Sequence, residues 1–224
     1  DKYIGDAIVA FYGAPVDVED HEYKAILTVV EMNKKLIELK NKWRLEGDKW
    51  PDLVKNMQHR VGINTGYLVT GNMGSELQMN YTCMGDTVNL AARLESGSKQ
   101  WGIDAQVAQS VYDKTKDEFV FRELGGIRVK GKKEPVNVYE LLCQKGSEPK
   151  GLNKLLEQFN EARLLYLKQD WDNAIKAFEI SNQLEDMSEQ RHTNPSLTYI
   201  SICKEFKSNP PGDDWDGVYT FKQK

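Results

Sequence analysis

An amide and a guanidinium four residues apart are the side chains in this sequence best suited to chemistry. Asn89 and Arg93 belong to YTCMGDTVNLAAR (81–93), where a β-rich stretch runs through a Gly-Asp turn into a helical pattern. Residues four apart lie on one face of a helix. A guanidinium offers a planar fork of donors that matches phosphate oxygens, and an amide suits the edge of a sugar. Taken alone, such a pair is more often a solvated polar face than a site.

Three further segments carry polar side chains at characteristic spacings. In DKYIGDAIVAFYGAP (1–15), Gly5-Asp6 separates two apolar stretches as a hairpin turn does. The other two segments are HRVGINTGYLVTGNMGS (59–75) and the lysine-rich VKGKKEP (129–135). An isolated Gly-Asp pair is usually only a turn, and lysines in a loop are usually solvated charge. The order of the four segments is therefore more informative than any one of them.

This series of motifs resembles the catalytic domain of the class III nucleotide cyclases. The resemblance covers residues 1–143 and rests on a Gly-Asp hairpin, RxGIxTG, GDxVNxAARLE and VKGK, in that order. It implies an α/β sandwich of the ferredoxin-like type with a mainly antiparallel sheet, and residues 1–144 are predicted to form this domain. The implied activity is that of a lyase, which converts a nucleoside triphosphate to a 3′,5′-cyclic nucleotide and pyrophosphate.

The resemblance assigns a role to each polar residue through its place in a motif. Arg93 would stabilise charge on the α-phosphate, Asn89 would orient the ribose, and Lys130 would neutralise the triphosphate. Asp6 would be one of two carboxylates that hold two Mg²⁺ or Mn²⁺ ions. The other carboxylate would lie on a strand that precedes Asp1, so this chain is expected to lack that strand and to be nearly inactive by itself. In this family the carboxylates and the Asn/Arg pair of one site come from different subunits, which implies a homodimer.

The purine base is predicted from Lys2 and Thr82, which match the two base-reading positions of the family, each three residues before a motif glycine. Lysine only donates hydrogen bonds and suits N1 of adenine, whereas threonine can accept from the exocyclic amine. Guanine presents an N1–H donor and an O6 acceptor, which calls for a carboxylate at position 2. ATP is therefore the predicted substrate. The alternatives are a guanylate or dual-specificity cyclase and a non-catalytic, nucleotide-binding regulatory module.

The Lys/Thr combination further resembles that of bicarbonate-responsive bacterial and soluble-type adenylate cyclases. Stimulation by bicarbonate is therefore a hypothesis for this chain. An unchanged rate on addition of bicarbonate at fixed pH would count against it.

Apolar periodicity predicts the elements that position these residues. Helices are predicted over 19–45 and 103–116, and strands over 61–64, 67–70, 119–122, 127–129 and 136–142. The first two of these strands are expected to form a hairpin about Thr65-Gly66, with further turns at 71–72 and 74–75.

The C-terminal third of the chain predicts a separate helical segment. A polar stretch with Gly and Pro, KGSEPKG (145–151), indicates a linker. Helices are predicted over 152–167, 171–184 and 195–206, followed by an acidic and aromatic tail over 208–224. Part of this segment resembles one helix-turn-helix unit of the tetratricopeptide (TPR) type. Since a single unit needs a neighbour to bury its faces, residues 152–207 are predicted to pack on the catalytic domain or on the partner subunit.

Composition limits the class of protein. The chain has 224 residues, enough for one full domain and a smaller one, and its formal net charge of −4 provides no basic field for nucleic acid. Its three widely spaced cysteines fit neither a disulfide framework nor a zinc site and indicate a reducing compartment. No apolar run approaches the ~20 residues of a membrane helix. The prediction is a cytoplasmic chain without membrane contact of its own, whose parent protein could be anchored through another region.

Overall fold

The computed structural model describes residues 1–128, 134–185 and 191–221. In chain order its elements are β1 (Lys2–Ile4), β2 (Ala7–Val9), α1 (His21–Leu45), α2 (Asp52–Lys55), β3 (Val61–Ile63), β4 (Val69–Ser75), β5 (Gln78–Met84), α3 (Asp86–Trp101), β6 (Ala105–Ala108), α4 (Gln109–Thr115), β7 (Phe119–Ile127), β8 (Val136–Gln144), α5 (Leu152–Leu167), α6 (Trp171–Asn182) and α7 (Pro195–Ser208). Within the described ranges, no helix combines the length and apolarity needed to cross a bilayer.

A four-stranded sheet with the order β3-β6-β8-β7 forms the centre of residues 1–144. The β3–β6 pair is parallel, and the pairs β6–β8 and β7–β8 are antiparallel. The hairpins β1–β2 and β4–β5 form two further antiparallel sheets. The predicted α/β fold with mainly antiparallel strands is thereby confirmed.

The predicted hairpin about Thr65-Gly66 is wrong. β3 pairs in parallel with β6, while β4 pairs with β5 in a register that runs from Val69↔Met84 to Ser75↔Gln78. The glycines at positions 71 and 74, which were expected in turns, therefore lie inside a strand. Pairing with a distant segment overrides the local preference of glycine for turns.

The predicted helix over 103–116 is also wrong in its first half. Residues Ala105–Ala108 form β6, and the helix begins only at Gln109. All four residues of β6 are buried in the middle of the sheet. The run is short, and its one polar residue, Gln106, is buried with its apolar neighbours. Such a run cannot be assigned to strand or helix by periodicity.

Two hydrophobic clusters lie on opposite faces of the four-stranded sheet. Neighbouring residues of β8 belong to different clusters, Val138 to one and Tyr139 to the other, as the alternation of a strand requires. The cluster that contains Tyr139 packs α1 and α4 on the sheet. The cluster that contains Val138 joins α3, β7 and β8 to the three C-terminal helices through Phe159, Phe178 and Tyr199. The C-terminal helices therefore share a core with the sheet.

A buried arginine strengthens this junction. Arg122 of β7 donates from Nε to Oε2 of Glu140 on β8 at 2.7 Å and from Nη1 to Oε1 of Glu185 at 2.6 Å. The hydroxyl of Ser196 on α7 donates to the same Glu185 oxygen at 2.8 Å. The guanidinium carbon also lies 4.9 Å from the ring centroid of Phe159 on α5. Charge, hydrogen bonds and a ring contact thus connect the sheet to the C-terminal helices.

The C-terminal tail is attached through a half-buried tryptophan. The ring of Trp215 lies 5.0–5.6 Å from the rings of Tyr166, Trp171 and Phe206. Its indole N–H donates to the carbonyl of Val218 at 3.0 Å. Among the described residues, the aspartates around Trp215 do not form a group that could hold a metal ion. The tail is therefore held by aromatic packing.

Candidate active site

Helix α3 carries Asn89 and Arg93 on its exposed face. The opposite face, which includes Leu90 and Leu94, is buried against the core. Gly85 links β5 to the helix with a φ of 150°, a backbone conformation that residues with a Cβ rarely adopt. The strand-to-helix turn and the buried face therefore fix the direction in which the amide and the guanidinium point.

The close approach of β3 fixes the position of α3. A Cβ on Gly62 of β3 would lie 2.0 Å from the carbonyl oxygen of Ala91 and 2.3 Å from the main-chain nitrogen of Glu95. Both atoms belong to the turns of α3 that carry Asn89 and Arg93. The glycine of the RxGIxTG motif is thus explained by packing against the helix backbone.

We expect Gly62→Ala to lower the free energy of unfolding by about 1–3 kcal/mol, because α3 must move away from the sheet to admit the methyl group. Urea denaturation followed by circular dichroism measures this change. Gly71→Ala in β4 is the matched control, since a Cβ there would meet nothing within 4 Å. An equal effect of the two substitutions would contradict the close approach of β3 to α3.

The loop after β3 ties α1 to the start of α3. Thr65 donates to Oε1 of Glu22 on α1 at 3.0 Å, and the amide of Asn64 donates to the carbonyl of Thr87 at 3.1 Å. The hydroxyl of Thr87 in turn donates to the carbonyl of Tyr67 at 2.8 Å. The second half of the RxGIxTG motif therefore anchors the first turn of the helix that bears the Asn/Arg pair.

Lys2 and Thr82 meet at one carboxylate oxygen. The hydroxyl of Thr82 donates to Oδ2 of Asp1 at 2.7 Å, and the ammonium of Lys2 lies 3.6 Å from the same oxygen. The side chain of Asp1 is only 3% exposed. Its main-chain nitrogen donates to the carbonyl of Val9 on β2 at 2.9 Å, beside the Lys2↔Val9 pair. The structure thus brings together the two predicted base-reading residues, and it adds Asp1, whose only sequence signal is that it precedes Lys2.

Asp6 lies in the turn of the β1–β2 hairpin and is exposed. The register Ile4↔Ala7 leaves Gly5-Asp6 as a two-residue loop, and Gly5 has a φ of 62°. A carboxylate is a suitable ligand for Mg²⁺ or Mn²⁺. No three Asp, Glu, His or Cys side chains gather into a possible metal group in the described part of the chain. Asp6 therefore fits such an ion as a single ligand that needs others from elsewhere.

Lys130, the predicted triphosphate ligand, lies outside the described residues. The strands on either side of its segment, β7 and β8, are paired up to Ile127↔Val136.

Known proteins resemble this chain in sequence and in fold. Residues 2–142 match the family described as the adenylate and guanylate cyclase catalytic domain. The terminal-differentiation-specific adenylate cyclase of Dictyostelium discoideum is 29% identical over 207 residues, which cover 91% of this chain and 9% of that protein. Adenylate cyclase 1 of Rhizobium meliloti is 31% identical over 141 residues, which cover 63% of this chain and 20% of that protein. The crystal structure of the adenylyl cyclase CyaB from P. aeruginosa superimposes with a TM-score of 0.56 and 32% identity, covering 66% of this chain and 74% of that chain.

These matches differ in how far they extend along the chain. The Dictyostelium match leaves less than a tenth of this chain uncovered, so it continues past residue 142 into the C-terminal helices. This chain spans no more than a fifth of either curated relative. Because the family match covers well over half of the sequence, the chain belongs to the adenylate and guanylate cyclase catalytic-domain family.

Proposed function

We propose that this chain is the catalytic domain of an adenylate cyclase, which converts ATP to 3′,5′-cyclic AMP and pyrophosphate as a homodimer. The observation that carries the choice of ATP is the proximity of a donor-only side chain, Lys2, to the hydroxyl of Thr82 at a shared carboxylate. N1 of adenine accepts a hydrogen bond and its 6-amino group donates one, so lysine and threonine match that edge. The relatives from Dictyostelium and Rhizobium are both named adenylate cyclases.

The Asn/Arg pair of α3 would bind the ribose and the α-phosphate, the parts of ATP between which the new bond forms. The amide of Asn89 would hold the ribose with its 3′-hydroxyl facing the α-phosphate, and such positioning supplies a large part of an enzymatic rate enhancement. The guanidinium of Arg93 would donate to the α-phosphate oxygens, whose charge is redistributed as the 3′-oxygen bond forms and the bond to pyrophosphate breaks. Bound Mg²⁺ or Mn²⁺, to which Asp6 would contribute a ligand, supplies charge neutralisation.

Exposed apolar side chains support the proposed homodimer. They concentrate on the two hairpins, where Tyr3 of β1 is 80% exposed, Ile8 of β2 is 66% exposed and Met79 of β5 is 61% exposed. Leu77, in the turn between β4 and β5, is 99% exposed. Apolar surface of this kind marks an association site. A symmetric dimer through the hairpins would cover it and would join Asp6 of one subunit to the Asn/Arg pair of the other.

In this proposal residues 1–144 form the catalytic unit, and residues 152–207 form a helical support of the TPR-like type. The shared core across α3, β7, β8 and the C-terminal helices favours that role.

A nucleotide-binding regulatory module is the second candidate. The carboxylate at position 6 favours it, since no group of three or more Asp, Glu, His or Cys side chains that could hold a metal ion gathers around Asp6 among the described residues. Such a module would bind ATP and dimerise but would form no cyclic nucleotide.

Product formation from ATP and from GTP with Mn²⁺ tests the proposal. We expect cyclic AMP, and little cyclic GMP, from a version of the chain extended by the strand predicted to precede Asp1. The extended forms of Asp6→Ala and Arg93→Ala should each lose nearly all of the activity alone. Mixed in equal amounts they should recover about a quarter of the activity, because half of the dimers then contain one intact site out of two.

Three outcomes would count against parts of the proposal. Cyclic GMP as the main product would assign the chain to the guanylate type. Nucleotide binding without product from the extended chain would favour the regulatory module. Failure of the mixture to recover activity, while the unsubstituted chain is active, would show that each site is built from one subunit.

A further inference from the structure

We propose that Asp1 determines base selection through Thr82. The Asp1 carboxylate accepts the proton of the Thr82 hydroxyl, so that toward the base this hydroxyl can only accept a hydrogen bond. This inference rests on the proposed adenylate cyclase function. It assigns Asp1 a positioning role, because its carboxylate would act on the purine through Thr82.

Threonine by itself does not discriminate between adenine and guanine. Its hydroxyl has one proton to donate and two lone pairs that can accept, and it rotates to suit its partner. It can accept from the 6-amino group of adenine, but it can equally donate to the O6 atom of guanine or hypoxanthine. An additional group must fix the direction of the hydroxyl proton if Thr82 is to select one base.

The carboxylate of Asp1 is placed to fix that direction. Its Oδ2 lies 2.7 Å from Oγ1 of Thr82, a normal length for a hydrogen bond between a hydroxyl and a carboxylate. An ionised carboxylate has no proton to give, so the hydroxyl must be the donor. With the Asp1 side chain 3% exposed, water competes weakly for this bond. Only the lone pairs of Thr82 then remain for the base.

The same oxygen lies 3.6 Å from the ammonium of Lys2, with which the carboxylate forms an ion pair. Cys83 also contacts this oxygen, with its Sγ at 3.8 Å as a weak donor. The base edge would therefore meet one fixed donor, Lys2, and one fixed acceptor, Thr82. Guanine or hypoxanthine would place its N1–H against the donor and its O6 against the acceptor, so both contacts would be repulsive.

The test compares the affinities of ATP and inosine triphosphate (ITP) by competition with a ribose-labelled fluorescent ATP. The two nucleotides differ only in the base atoms that Lys2 and Thr82 would contact. Asp1→Asn is the first variant. An amide can either accept from the Thr82 hydroxyl or donate to it, so the hydroxyl becomes free to donate its proton to the base. We expect the ratio of ATP affinity to ITP affinity to fall about tenfold, which corresponds to one hydrogen bond gained by the wrong base. Most of this change should come from tighter binding of ITP.

Further variants separate base selection from a purely structural role. Thr82→Val should also lower the ATP:ITP affinity ratio. Adding Asp1→Asn to Thr82→Val should cause no further drop, because the two side chains act as one unit. Asp113→Asn is the matched control, as its exposed carboxylate accepts from Gln109 of the same helix, α4, and its ratio should stay unchanged.

Two results would overturn the inference. One is an unchanged ATP:ITP ratio in Asp1→Asn, and the other is an equal loss of both affinities, which would mean that Asp1 only supports the hairpin. Failure of the proposed choice of ATP gives a different result, since the unsubstituted protein would then show no preference for ATP over ITP. Failure of the proposed catalysis is recognised separately, because a regulatory module would bind ATP but form no cyclic AMP.

Discussion

Substitution of Arg93 by alanine should lower the rate of cyclic AMP formation by about 10²–10³-fold at saturating ATP, the typical cost of removing one donor to a developing charge. The affinity for ATP should change much less, because Lys2 and Thr82 would still bind the base. The measurement is kcat and KM in the extended, active form of the chain. Arg93→Lys should recover only part of the rate, since a single ammonium cannot reproduce the guanidinium fork.

Arg60→Ala is the matched control for this substitution. Arg60 is also an exposed arginine beside α3, where its Nε donates to Oε1 of Glu95 at 3.0 Å. Removing an exposed ion pair changes little, so we expect a rate within about twofold of the unsubstituted enzyme. Equal losses in Arg60→Ala and Arg93→Ala would indicate a general effect of charge on nucleotide binding and would remove the assigned role of Arg93.

Substitution of Arg122 should destabilise the protein more than the other substitutions considered. Arg122→Ala should lower the free energy of unfolding by about 3–5 kcal/mol, because it leaves Glu140 and Glu185 buried without their cation. Both carboxylate side chains are only 6% exposed. Urea denaturation followed by circular dichroism measures the loss, and the junction between the sheet and the C-terminal helices should be affected first.

This loss should depend on pH. Burial raises the pKa of Glu140, and Arg122 partly opposes that shift, so removal of the arginine should raise the pKa further. The ordinary pKa of this carboxyl is 4.5, so above pH 4.5 the unfolded chain releases a proton that Glu140 of the folded variant retains. The stability of the variant should therefore fall as the pH rises above 4.5. Denaturation at a series of pH values between 5 and 8 would test this trend.

Two comparisons separate the buried charge from packing. Arg128→Ala removes an exposed arginine that binds Asp216, and it should cost less than about 1 kcal/mol. Adding Glu140→Gln and Glu185→Gln to Arg122→Met should restore part of the stability, because no uncompensated charge is then buried. If Arg122→Ala is no more harmful than Arg128→Ala, the buried ion pairs do not stabilise the junction.

Features that depend on neighbouring residues could be predicted from the sequence. The four-residue spacing of Asn89 and Arg93 placed both on one face of α3, because helical periodicity is local. The Gly5-Asp6 turn and the helices predicted over 152–167 and 195–206 were predicted for the same reason, and they correspond to the β1–β2 hairpin, α5 and α7. The order of motifs identified the family, which the match over residues 2–142 confirms.

Contacts between distant segments could not be predicted in this way, because they depend on how the elements pack. The buried run Ala105–Ala108 became a strand because β3 and β8 pair with it on both sides, a fact that its own four residues do not encode. The contact of Asp1 with Thr82 spans 81 positions, and that of Arg122 with Glu185 spans 63. Hydrogen bonds of such range depend on strand register and helix packing, and a motif defined by local spacing carries no information about either.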